Sequence, residues 1–166
     1  MEFFYFCLFL SILSCSLVTG FIFTYAIIVM PGLSKLSDKE FLKAFQVSDQ
    51  VIQNNQPLFM LTWIGSIVSV LSLILASITY VDLSESWLIL LVAIIYLLGV
   101  QGITILIHLP LNNYIQKLNL EELIDKNLKI ERSNFEKKWN IYNNIRCIIS
   151  FFVSLIFLLN LALLKF

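Results

Sequence analysis

An all-α bundle of four transmembrane helices is the architecture this sequence predicts, and three observations carry it. Of the 166 residues, 59% are hydrophobic and 13% are charged, a balance typical of membrane proteins and foreign to a soluble globular domain. The charges are confined, which leaves uncharged runs over 3–34, 50–81, 86–116 and 147–164. Each run comes close to or exceeds the roughly 20 residues that cross a ~30 Å hydrocarbon core at about 1.5 Å per residue. Spans are therefore expected near 4–30, 58–80, 87–109 and 140–164, and 1–166 reads as a single integral membrane domain.

The first span begins after Met1 and Glu2, with no Lys or Arg before it and no small-residue cleavage site after it, so it is expected to be retained and not removed as a signal peptide. In the first loop, "SDKE" at 37–40 is a capping-box pattern, and Phe41, Leu42, Phe45 and Ile52 follow at helical spacing. A short amphipathic helix at the membrane surface is the expectation. It should stop at "NNQP" (54–57), where Pro57 can open the second span. In the second loop, "NLEE" (119–122) can start one short helix, and "SNFE" (133–136) another that runs into the fourth span. That last helix would be about 33 residues, near 50 Å.

Lys35, Lys39, Lys43, Lys117, Lys126, Lys129, Arg132, Lys137 and Lys138 fall in the two long loops, and Lys165 lies at the opposite end. The positive-inside rule then puts both long loops in the cytoplasm and both termini outside. Asp49, Asp82 and Glu85 read as solvated loop charges. Small residues every three or four positions, Ser16, Gly20 and Thr24 in the first span and Gly65, Ser69 and Ser72 in the second, are expected at close helix contacts. Cys7, Cys15 and Cys147 lie in apolar spans without metal-ligand spacing, so they read as packing residues, with neither a disulfide framework nor a metal site expected.

Where chemistry could sit is narrower. Gln101, Thr104, His108 and Asn112 are spaced three, four and four apart in the third span, which puts them on one helical face. Polar groups are costly in hydrocarbon, so that face should point into the bundle. His108, the single histidine, lies about 32 Å along the helix from Trp87, and Arg146 lies about 29 Å from Lys165, so both sit at one depth. Thr24 and Tyr25 reach this level from the first span, and Asn54, Asn55 and Gln56 precede the second there. Pro110 should kink or end the third helix beside His108, freeing carbonyls near Leu106 and Ile107 for Asn112, Asn113 or Arg146. On the fourth helix Trp139, Asn143, Arg146 and Ser150 share a stripe, with Tyr142 alongside. Taken singly, Arg146 can snorkel to phosphates and the aromatics can form an interfacial belt; four polar residues on one face weigh more.

The segments "TYAIIVMPGL" (24–33), "QPLF" (56–59), "IHLPLNN" (107–113) and "FEKKWNIYNNIR" (135–146) resemble, in order and spacing, a family of small four-helix membrane proteins that includes fungal anthrone oxygenases. Pro110, Leu111 and Asn112, then Trp139, Asn143 and Arg146, are its most specific pieces. This chain departs from the family pattern in carrying His108 and Gln56 where asparagine is more usual. The resemblance implies oxidation of a flat, acidic polycyclic phenol by molecular oxygen without a bound cofactor. Under it, Arg146 and Asn143 would meet the developing oxyanion, Asn112 would orient the substrate and His108 would remove a proton. Trp139 and Tyr142 would stack on the rings, with Gln101, Thr104 and Tyr25 lining the site.

Other classes compete. The same layer could hold a quinone, lipid or other small hydrophobic ligand without chemistry, since fold does not settle reaction. A haem oxidoreductase would use His108 as an axial ligand, but one histidine cannot supply bis-histidine ligation. A transporter would need acidic groups deep in a span. No phosphate loop, dinucleotide fingerprint, nucleophile elbow or basic stripe is present, so nucleic acid is not an expected partner. The expected partners are the lipid bilayer and a small aromatic or hydrophobic ligand, and a homo-oligomer is compatible with the sequence.

Overall fold

The computed structural model describes residues 1–163 as helices joined by short connections. Four are long and apolar enough to cross a membrane: α1 (Glu2–Leu33), α3 (Pro57–Tyr80), α4 (Leu83–Gln116) and α5 (Asp125–Leu163). The fifth, α2 (Asp38–Gln53), is amphipathic and lies between the first two spans. The protein is thus an all-α, multi-pass membrane bundle. Lys165 and the expected last residue of the fourth span lie outside the described residues.

Two apolar clusters hold the bundle. The larger joins α1, α3, α4 and α5 through Leu8, Cys15, Val70, Leu73, Ala93, Tyr96 and Phe157. The smaller, at the end carrying the long connections, packs Phe41, Leu42 and Phe45 of α2 against Ile115, Leu128, Phe135 and Trp139. Large apolar side chains such as Phe9, Leu61, Ile78, Leu98 and Phe152 face outward, as a bilayer-facing surface requires.

α2 starts where its capping box predicts, with Ser37 and Glu40 satisfying each other's backbone donors. It does not float on the surface. Gln46 Nε2 donates to the carbonyls of Ile115 (2.8 Å) and Leu118 (3.1 Å) at the end of α4. Arg132 of α5 donates to the carbonyls of Ser34 (2.8 Å) and Leu36 (2.7 Å), just past α1, and its guanidinium lies 4.5 Å from the centre of the Phe41 ring. Both side chains bond backbone carbonyls at or just past a helix end, and together they clamp α2 onto the bundle.

Several local expectations are corrected. "NLEE" forms a turn, not a helix: Asn119 Nδ2 donates to Glu122 (2.7 Å), and the Asn119 side chain accepts from the Glu121 amide (3.3 Å), the local bonding that makes asparagine a turn former. One helix then runs unbroken from Asp125, 39 residues or about 58 Å, because nothing before Ser133 interrupts it. Ser16, Gly20 and Thr24 face outward, and a Cβ on Gly20 or Gly65 would meet nothing within 4 Å. The close approach falls at Gly99 of α4, whose Cβ would lie 2.9 Å from Ile149 Cδ1 of α5. Between α1 and α3 the contact is made by serines instead, Ser14 Oγ to Ser69 Oγ at 2.7 Å.

α4 neither ends nor breaks at Pro110. Wider π turns occupy Leu97–Gly102 and Thr104–His108, with the Leu109 amide bonded five residues back to Thr104, and the helix continues to Gln116. Such turns let a membrane helix absorb a proline without stranding its backbone. A third π turn, Tyr25–Val29, sits at the same end of α1.

Candidate functional site

Between the two apolar clusters lies a cavity of about 660 Å³, touched by all five helices. The π turn of α4 decides which side chains reach it. With more residues per turn than an α-helix, a spacing of four comes close to a full revolution and a spacing of three falls short. Thr104, His108 and Asn112 accordingly line the cavity together. Gln101 does not. It turns to α3, where its carbonyl accepts from Trp63 Nε1 (2.7 Å) and its amide reaches Ser66 Oγ (3.1 Å) and Tyr96 Oη (2.9 Å). That satisfied buried network joins α3 to α4.

From α5, Trp139, Asn143 and Arg146 point inward, while Tyr142 lies beside the stripe and is not a lining residue. Tyr25 enters from α1, its ring tilted against Trp139 at a centroid distance of 5.5 Å. The expected partners for carbonyls freed by Pro110 are engaged elsewhere. The Asn112 amide donates to Asp49 Oδ1 (2.7 Å) while its Oδ1 accepts from Trp139 Nε1 (3.1 Å), Asn113 Oδ1 accepts from Gln53 (2.9 Å), and Arg146 turns to Thr104 and Asn143.

Arg146 is 8% exposed and, among the described residues, has no carboxylate partner. It does not snorkel. One terminal nitrogen donates to Thr104 Oγ1 (2.8 Å), the other to Asn143 Oδ1 (2.7 Å), and Nε meets no hydrogen-bond acceptor. Asn143 in turn donates to the Ile22 carbonyl of α1 (3.2 Å). The guanidinium is thus held in place by neutral groups, its charge uncompensated in a low-dielectric site.

His108 is 3% exposed, with its ring edge-to-face on Trp139 at 4.9 Å. Neither ring nitrogen finds a hydrogen-bond partner among the described residues; the Tyr142 carbonyl is near enough to feel the ring but is not in bonding geometry. Buried histidines are ordinarily satisfied.

The residue that sequence reasoning missed is Asp49. Far from being a solvated loop charge, it is 3% exposed and lines the cavity from α2. Oδ1 accepts from Asn112 (2.7 Å), and Oδ2 accepts from Gln116 (3.0 Å) and Gln53 (3.2 Å). A signal was present: Asp49 stands four residues after Phe45 and eight after Phe41, which puts a carboxylate on the apolar face of an amphipathic helix. Among the described residues no group of three His, Cys, Asp or Glu side chains is arranged to hold a metal ion.

Fold and site together define a multi-pass membrane helix bundle with a half-open cavity between its helices, apolar in most of its wall and polar at a few converging side chains. The anthrone oxygenase family profile matches residues 57–156, well over half of the chain, and the chain belongs to that family. The match takes in Thr104, His108, Asn112, Trp139, Asn143 and Arg146, and stops short of Tyr25 and Asp49. No curated protein and no solved structure matched.

Proposed function

We propose that this protein oxidises an anthrone, a polycyclic phenol with an acidic ring methylene, using molecular oxygen. The observation that carries the reading is the pairing, in one 660 Å³ cavity, of a buried guanidinium lacking a counter-ion with an imidazole whose nitrogens are both unpartnered. A cavity of this size holds a ligand-sized molecule. The cation favours an anionic or enolising oxygen, and the imidazole, buried beside Trp139, has no hydrogen bond to lose on taking a proton.

Arg146, positioned by Thr104 and Asn143, holds the anthrone oxygen as negative charge develops on it. Asn112 orients the ring system, and Trp139 and Tyr25 form its aromatic walls. His108 accepts a methylene proton, leaving an extended enolate. The enolate gives one electron to oxygen, and recombination of the two radicals forms a carbon–oxygen bond. His108 returns its proton to the outer oxygen, and loss of that hydroxyl with the second methylene hydrogen, as water, leaves a carbonyl. Anthrone and oxygen become anthraquinone and water, and the substrate supplies every electron, so the balance needs no added reductant. Burial of Arg146 and His108 in the wall strengthens the electrostatic contacts they make.

The test is oxygen uptake by the detergent-solubilised protein with a hydroxylated anthrone, followed with quinone formation by absorbance. One oxygen consumed per quinone formed, above the spontaneous rate, supports the reading. Tight binding of the anthrone or its quinone with no protein-dependent uptake would instead favour a non-enzymatic carrier of small hydrophobic molecules. The concentration of Lys and Arg in the loops at the cavity end supports a cytoplasmic position for that end, which labelling of single cysteines in the 117–124 connection checks.

A further inference from the structure

Asp49 is a buried charge in the cavity that the reaction above leaves unused. Its three hydrogen-bond partners, Asn112, Gln116 and Gln53, are neutral amides, and no cation pairs with it among the described residues. A carboxylate offers about four acceptor sites. Three amides leave room for one more donor, in a site where an unfilled charged acceptor is costly.

The layout comes from α4. Arg146 is bonded at the level of Thr104 and Asp49 at the level of Asn112, with His108 midway. Eight residues of helix, half of them in the π turn with its smaller rise, separate those levels by about 10–12 Å. The cavity therefore keeps a positive and a negative pole apart where a direct ion pair would cancel both. A ligand with one acidic oxygen and otherwise bare rings answers only the first pole.

Resting on the reading of an acidic polycyclic ligand, we infer that Asp49 is a specificity-determining residue. It accepts a hydrogen bond from a ring hydroxyl on the side of the ligand away from the oxygen held by Arg146. The preferred substrates are then polycycles hydroxylated on an outer ring. Asn112, bonded to both Asp49 and Trp139, couples this contact to the aromatic wall.

The test uses the full-length protein in detergent and anthrones in which each outer-ring hydroxyl in turn is replaced by methoxy, which keeps bulk and removes the donor. Dissociation constants are read by quenching of tryptophan fluorescence. For one ring position, the hydroxyl ligand should bind the native protein about 10- to 100-fold more tightly, the range of a hydrogen bond to a charged acceptor. In Asp49→Asn that ratio should fall below about 3-fold while the affinity of the methoxy ligand changes little; a merely structural role would weaken both ligands alike and preserve the ratio. Equal affinities at every position in the native protein overturn the inference, and that comparison needs no variant to fold. If anthrones bind but show no such preference, only this inference fails; if none binds, the proposed ligand class fails with it.

Discussion

Replacing Arg146 with glutamine removes the cavity's cation while leaving a polar side chain that can still bond Asn143 or Thr104. A guanidinium has five N–H donors. Of these, one on each terminal nitrogen is committed, to Thr104 at 2.8 Å and Asn143 at 2.7 Å, and Nε is buried in the wall, which leaves one on each terminal nitrogen for a ligand. Loss of a preorganised donor to a developing oxyanion costs about 3–4 kcal/mol, or 10²- to 10³-fold in kcat. Arg146→Gln should therefore lower the protein-dependent rate of oxygen uptake by two to three orders of magnitude. Arg146→Lys, which keeps charge without the planar fork, should fall between, at about 10-fold. The assay is an oxygen electrode with anthrone in excess, each rate normalised to protein that elutes as a monodisperse, thermally cooperative species. If Arg146→Gln retains more than about a third of the native rate, the guanidinium is not at the reacting oxygen and the reasoning fails.

His108→Gln, close in shape, should leave anthrone affinity within about 3-fold and slow turnover by 10²-fold or more, as loss of a general base does; equal loss of binding and rate would instead mark His108 as a packing residue. Gln101→Leu orphans Trp63 Nε1 and removes a donor from the Ser66 and Tyr96 hydroxyls, at a cost of about 1–2 kcal/mol in a membrane protein. A lower melting temperature with unchanged oxygen uptake per folded molecule is the expected result. The glycines separate cleanly. Gly20→Ala meets open space and should gain up to about 1 kcal/mol of helix stability, whereas in Gly99→Ala the Cβ would press on Ile149 at 2.9 Å and overpacking of about 1 kcal/mol or more should cancel that gain. Melting in detergent compares the two, and equal shifts would contradict the packing described.

Much of the site was legible in the sequence because helical periodicity and the cost of burying polar groups act locally. Thr104, His108 and Asn112 are expected on one face and line one cavity; Asn143 and Arg146 face it from α5. Gln101 was misplaced by a rule that assumes 3.6 residues per turn, since π turns cannot be read from residue spacing. Tyr142 was grouped with a stripe it only borders.

By itself the sequence determined the number of spans, because the length and apolarity of each run are set by the thickness of the bilayer it must cross. It likewise determined that α2 begins at a capped serine. Only the tertiary structure decided that α2 folds down as a wall of the cavity, that Asp49 is buried and that Arg146 has no counter-ion among the described residues. Each of these depends on which distant side chains meet. Gln46 reaches α4 across about 70 residues of chain and Arg132 reaches the end of α1 across nearly 100, and no local period encodes such pairings.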